Sequence, residues 1–216
     1  MVCVIEPSPQ LPAKPQSSPY AEQPRTDPIV LEDLVALVRL PGLFTRVAKV
    51  LDRARAIFQL PIDSPFLLVD SEPGDGRLDF GYRWMDKKNL LIVFVGMTWG
   101  DQSRDPTWEV RVETNNLTLA EMLRAGDWHH LAARRAESRF SDWGKFWHED
   151  LAGTGLLLGA SAAVTRFFED ENAEGLAAEF LAGAFYALHA SGALQALLEV
   201  ARQNTNPGLG SQHLNV

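Results

Sequence analysis

Asp79 and Arg83, together with Glu109, Arg111 and Glu113, are the residues of this chain whose types and spacing suit chemistry. Within each group the positions differ by even numbers, so on extended strands each group projects from one face. Carboxylates and guanidiniums gathered there serve one of two purposes. They line a cleft that faces a ligand, or they pair with one another and guard the sheet against edge-to-edge association. If that face is covered, the charges must be paired, because a buried lone charge is costly. Trp99, close to Asp101 and Arg104, adds a recognition element, since Trp and Arg dominate binding hot spots. The candidate binding residues are therefore Asp79, Arg83, Trp99, Arg104, Glu109 and Arg111.

Other chemistries are weaker in the sequence. Asp70, Asp79 and Asp86-Lys87-Lys88 resemble the acidic set and lysine of a metal-dependent nuclease, which would hold a divalent ion and activate water. Asp86 to Lys88 falls in a hairpin turn, however, where solvated polar residues belong. Glu109-Val110-Arg111 is on a strand, but arginine is a poor proton carrier. His129 and His130 are expected on one helix and His148, Glu149 and Asp150 on a later one, and two such helices can converge on a metal ion. Ala152 stands four residues after His148, so no metalloprotease motif exists, and a structural or surface role is the favoured reading. Gly153-Thr154-Gly155 to Gly159 lacks the preceding strand that a phosphate loop needs, and small residues at 155, 159 and 163 read as helix packing. No catalytic residue, metal ligand or cofactor is assigned.

These side chains need a scaffold. Leu78, Phe80, Tyr82 and Trp84 alternate with polar residues, Leu90 to Met97 is apolar on both faces, and Trp108, Val110 and Val112 alternate again. With Phe66 to Val69 ahead of them, they make a four-stranded antiparallel meander whose central strand is covered on both sides. Asp86 to Asn89 is a turn and Trp99 to Thr107 a loop. Upstream, Ile29–Leu40 and Leu43–Phe58 form a helical pair broken at Pro41-Gly42. The second helix carries an apolar stripe of Leu43, Val47, Val50, Leu51, Ala54, Ile57 and Phe58, opposite a basic face of Arg46, Lys49 and Arg53. Downstream the chain reads as helical: Thr118 and Glu121 form a capping box, helices follow over 127–140, 143–148 and 151–168, and the last runs from about 172 to 203 with a pause at Ser191-Gly192. The fold class is α+β.

Composition sets the class of function. Seven of the thirteen prolines lie within residues 1–28, which read as a disordered arm; 29–203 form one domain and 204–216 a flexible tail. The net charge of −8, most of it in the C-terminal third, makes nucleic acid an unlikely partner. Cys3 is the only cysteine, which favours a reducing compartment. The longest apolar run, Leu151 to Val164, is too short for a membrane span. The leading expectation is a cytoplasmic adaptor or regulatory protein that binds a protein partner, or itself as a homodimer, without catalysis. The alternatives are a metal-dependent hydrolase or nuclease-like enzyme using Asp79 and Glu109, and a small-ligand binder using the sheet cleft.

Overall fold

A computed structural model of the chain describes residues 31–58, 60, 64–69, 77–100, 106–140, 143–167 and 172–205. The expected arm (1–28), most of the expected tail and Arg104 lie outside them. The chain divides into two units, Met1–Leu40 and Pro41–Val216. The first contributes the opening of helix α1 (Leu31–Ile57); everything that follows belongs to the second.

The meander forms as its periodicity demands. Strands β1 (Phe66–Val69), β2 (Arg77–Asp86), β3 (Ile92–Gly100) and β4 (Thr107–Glu113) pair antiparallel in chain order. Two further strands, β5 (Trp147–His148) and β6 (Leu156–Ala163), extend the sheet to six in the order β1-β2-β3-β4-β6-β5. Helices α2 (Leu117–Ala125) and α3 (Trp128–Glu137) lie between β4 and β5 in the chain, and α4 (Ala173–Ala190) and α5 (Ala193–Thr205) end it.

Several expectations need correction. The helical pair is one helix, because Pro41 removes an intrahelical hydrogen bond without ending α1, and Thr45 Oγ1 donates to the Pro41 carbonyl at 2.9 Å. The C-terminal half is not wholly helical, since β5 and β6 occupy stretches read as helices. A strand apolar on both faces has no alternation to betray it and cannot be told from a buried helix by period. Gly159 serves strand pairing rather than helix packing: a Cβ there would meet Val110 O at 2.6 Å and the Trp147 ring at 2.5 Å. Asn116, not Thr118, caps α2, its Oδ1 accepting from Leu119 N at 3.1 Å. Asp86 is buried rather than solvated, and closes the β2–β3 turn by accepting from the amides of Lys88, Leu90 and Leu91.

Helices α1 and α4 contribute to the core on one face of the sheet. Its first face carries Trp84, Val93, Val95, Met97, Trp108, Val110, Val112 and Leu158, all buried in the main core. Val47, Val50, Leu51 and Ala54 of α1 join that core as their stripe requires, although Ile57 is exposed. Helix α4 lays Phe185 against Trp84, with ring centroids 4.6 Å apart, and is backed by α3 and α5. Its many alanines let it pack closely over most of its surface, leaving Tyr186 exposed. Arg46 of the basic stripe pairs with Glu174 at 2.9 Å, linking α1 to the acidic C-terminal third. Among the described residues, no single helix is long and apolar enough to cross a membrane.

Candidate functional site

The second face of the sheet holds the charges. Register places Arg83, Phe94, Arg111 and Gly159 side by side in one row across β2, β3, β4 and β6. The next row is Gly81, Gly96, Glu109 and Ser161, and the third begins with Asp79, Thr98 and Thr107. Two glycines opposite each other leave a hollow on this face. The Phe94 ring fills it, so closely that a Cβ on Gly96 would lie 2.6 Å from Phe94 Cζ.

Arg111 rests on that ring, its guanidinium carbon 4.2 Å from the ring centroid. It is 2% exposed and donates in every direction its planar fork allows. Nη2 donates to Asp79 Oδ2, Nη1 to Glu109 Oε2 and Thr98 Oγ1 at 2.9 Å each, and Nε to Glu113 Oε2 at 2.9 Å. The Thr98 hydroxyl, whose single proton serves one acceptor at a time, lies 3.1 Å from Asp79 Oδ1 and 2.9 Å from Glu109 Oε2. Arg83 Nη2 donates to Asp79 Oδ2 at 3.0 Å, and Arg83 Nε stands 3.9 Å from Glu113 Oε1. Burial by itself would weaken the hold of Arg111 on its proton. Glu113, Asp79 and Glu109 outweigh that and raise it further above the ordinary guanidinium range.

Beside this network the surface opens into a groove of about 530 Å³. Asp79, Arg83, Arg111 and Glu113 form one wall of it, and Thr114, Asn115, Leu117, Thr154 and Leu156 line the rest. Leu117, 49% exposed, is an apolar point on the rim.

Four of the six candidate binding residues therefore converge: Asp79, Arg83, Glu109 and Arg111. Trp99 does not join them. It belongs to β3 rather than a loop, pairs with Leu78, and by alternation stands on the opposite face of the sheet. Thr98 and Phe94 are central members that the charge pattern did not point to, because both sit inside a run read only as apolar core. A second group, also unassigned in the sequence, gathers His129, His130, His148 and Asp150 where α3 meets β5.

Comparison with protein-family models, with curated proteins and with solved structures finds no match for this chain. Function has to be argued from the site itself.

Proposed function

We propose that the protein is a cytoplasmic adaptor or regulatory protein that receives a macromolecular partner on the charged face of its sheet, without catalysis. One observation carries this reading: charges fixed in a paired network form the wall of an open groove, on the face of the sheet opposite Val93, Val95 and Met97 of the core. Such a wall presents a pre-organised pattern of donors and acceptors, and a partner meeting it need order little of the protein. The groove is open and its lining mixes polar and apolar surface, with an exposed apolar contact at Leu117, which suits a polypeptide segment better than a small apolar ligand.

The rival readings have less to support them. Hydrolysis through Asp79 and Glu109 requires carboxylates turned to a metal ion or water, whereas both accept hydrogen bonds from Arg111. Of the other acids of the nuclease-like set, Asp86 is engaged by three backbone amides and Asp70 lies outside the described residues. Two guanidiniums against three carboxylates leave the network net negative, which disfavours a phosphate backbone.

A second copy of the chain is one candidate partner. Both apolar sets of β3 are buried within a single chain, Ile92 and Phe94 on one face and Val93, Val95 and Met97 on the other, so no exposed core face calls for a dimer. The sheet edge does invite pairing. Edge strand β1 has neither charge nor proline, and exposes Leu67 and Leu68 by 54% and 39%. Leu67 pairs with Met85 on the same face as Arg83, so strand addition there would continue the proposed binding surface.

The rim variant Asn115→Arg with Leu117→Glu changes exposed side chains only and is expected to leave folding intact. It is expected to weaken capture of a partner recovered with the unaltered chain by about tenfold or more, as loss of a hot-spot contact does. Equal capture by both would remove the groove from the binding surface. Any effect of Mn²⁺ on the unfolding temperature is expected to be the same in the unaltered chain and in Asp79→Asn; a Mn²⁺ stabilisation lost in Asp79→Asn would favour the hydrolase instead.

A further inference from the structure

The imidazoles at the junction of α3 and β5 have the make-up of a metal centre. His129 and His130 occupy the first turn of α3, and His148 and Asp150 come from β5 and the residues just after it. All three imidazoles turn Nε2 towards the Asp150 carboxylate. His129 Nε2 lies 2.8 Å and His130 Nε2 3.0 Å from Asp150 Oδ1, and His148 Nε2 lies 3.5 Å from Oδ2. The donor atoms of His129, His130 and Asp150 all fall within 4.8 Å of one another. A tetrahedral ion held at about 2.0–2.1 Å from nitrogen and oxygen ligands has ligand-to-ligand edges of about 3.3 Å, close to these separations.

We propose that His129, His130 and Asp150, completed by His148, bind one divalent transition-metal ion of the zinc class. Three imidazoles and one carboxylate are a donor set that suits zinc and its neighbours and not magnesium or calcium, which prefer oxygen. A hydrogen-bonded cluster alone explains the arrangement less well. One carboxylate serves three rings, and the His130 and His148 rings stack with centroids 3.7 Å apart, an arrangement that repels if both are protonated. His129 is 1% exposed, and its Nδ1 has no hydrogen-bond partner among the described residues.

The ligands are also held in place. Arg124 of α2 donates Nε to the Glu149 carbonyl at 2.9 Å, and Nη2 to the carbonyls of Thr154 at 2.7 Å and Leu156 at 2.6 Å. These bonds clamp both sides of the segment that carries Asp150, while Glu149 Oε1 accepts from Leu151 N at 2.8 Å within it. Strand β5 has only two residues, so an ion bridging His148 and Asp150 to α3 would pin this sheet edge to the helices. None of the four ligands belongs to the Arg111 network or lines the groove proposed to bind a partner, and neither proposal depends on the other.

Untagged full-length protein, stripped with a chelator and dialysed, is titrated with ZnCl₂ by calorimetry, and its Co²⁺ adduct is followed by visible absorption. Expected are one Zn²⁺ per chain, tetrahedral Co²⁺ bands that Zn²⁺ abolishes, and a rise in unfolding temperature with Zn²⁺ but not with Mg²⁺. His130→Ala with His148→Ala replaces side chains 28% and 38% exposed, so the metal-free protein should melt as before while Zn²⁺ affinity falls about 100-fold. Asp150→Asn, at a side chain 62% exposed, gives the same reading should the double variant misfold. Absence of Zn²⁺ binding by the folded chain, or binding that these variants leave unaltered, overturns the proposal.

Discussion

Replacing Arg111 with methionine is expected to cost about 3–5 kcal/mol of folding stability, the scale seen when one partner of a buried ion pair is removed. The volume is nearly kept, so the loss is electrostatic: Asp79, Glu109 and Glu113 would be left facing one another, with side chains only 3%, 11% and 18% exposed. In a domain of this size that corresponds to a fall in unfolding temperature of about 10 °C. Urea unfolding measures it directly. Adding Asp79→Asn and Glu109→Gln to Arg111→Met should recover most of the loss, because a network neutralised as a whole no longer buries an uncompensated charge. Arg111→Lys should not substitute, since a single ammonium cannot reach three carboxylates and lie flat on Phe94. An Arg111→Met protein as stable as the parent would mean that the pairing contributes nothing to the fold.

Asp86→Ala is expected to be almost as damaging, by about 3 kcal/mol or more, because it strips an acceptor from three backbone amides at once. Asp86 Oδ1 accepts from Leu90 N at 2.6 Å and Leu91 N at 3.0 Å, both in buried residues, and Oδ2 accepts from Lys88 N at 2.9 Å. The turn also holds Asn89 at φ 56°, a left-handed conformation that Asn tolerates. Without the carboxylate, hydrogen exchange at Leu90 and Leu91 should accelerate together and β2–β3 pairing should fray first. Asp86→Asn keeps one acceptor oxygen and should lose less. Unchanged exchange at Leu90 and Leu91 in Asp86→Ala would show that the turn is held by something else.

The candidate site was half legible in the sequence, for reasons visible in particular residues. Alternation in Leu78–Trp84 and Trp108–Glu113 placed Asp79, Arg83, Glu109 and Arg111 on one face, and that holds because the period of a strand leaves no freedom. Register was not legible. Nothing in the sequence says that Arg83 and Arg111 flank Phe94, nor that Gly81 faces Gly96 to make room for its ring. Thr98 looked like the end of an apolar strand, yet its hydroxyl sits among Asp79, Glu109 and Arg111. The histidine group was obscured by the misreading of β5. With His148 on a helix, the approach to His129 and His130 was one possibility among many; on a strand beside α3 it follows from the fold. Strand β6 was hidden for the opposite reason, since apolar and small residues on both faces erased the period that reveals a strand. The end of α2 at Gly126 and the break between α4 and α5 at Ser191-Gly192 were set by local stop signals and could be read directly.

Site-specific photo-crosslinking, in cells that natively make the protein, tests most directly whether the charged face of the sheet is where a partner sits. The photoreactive residue is placed at Leu117 on the groove rim or at Tyr186, 57% exposed on α4. A discrete macromolecular adduct from Leu117 and none from Tyr186 is the expected result. No adduct from Leu117, or the same adduct from both positions, contradicts binding at this face.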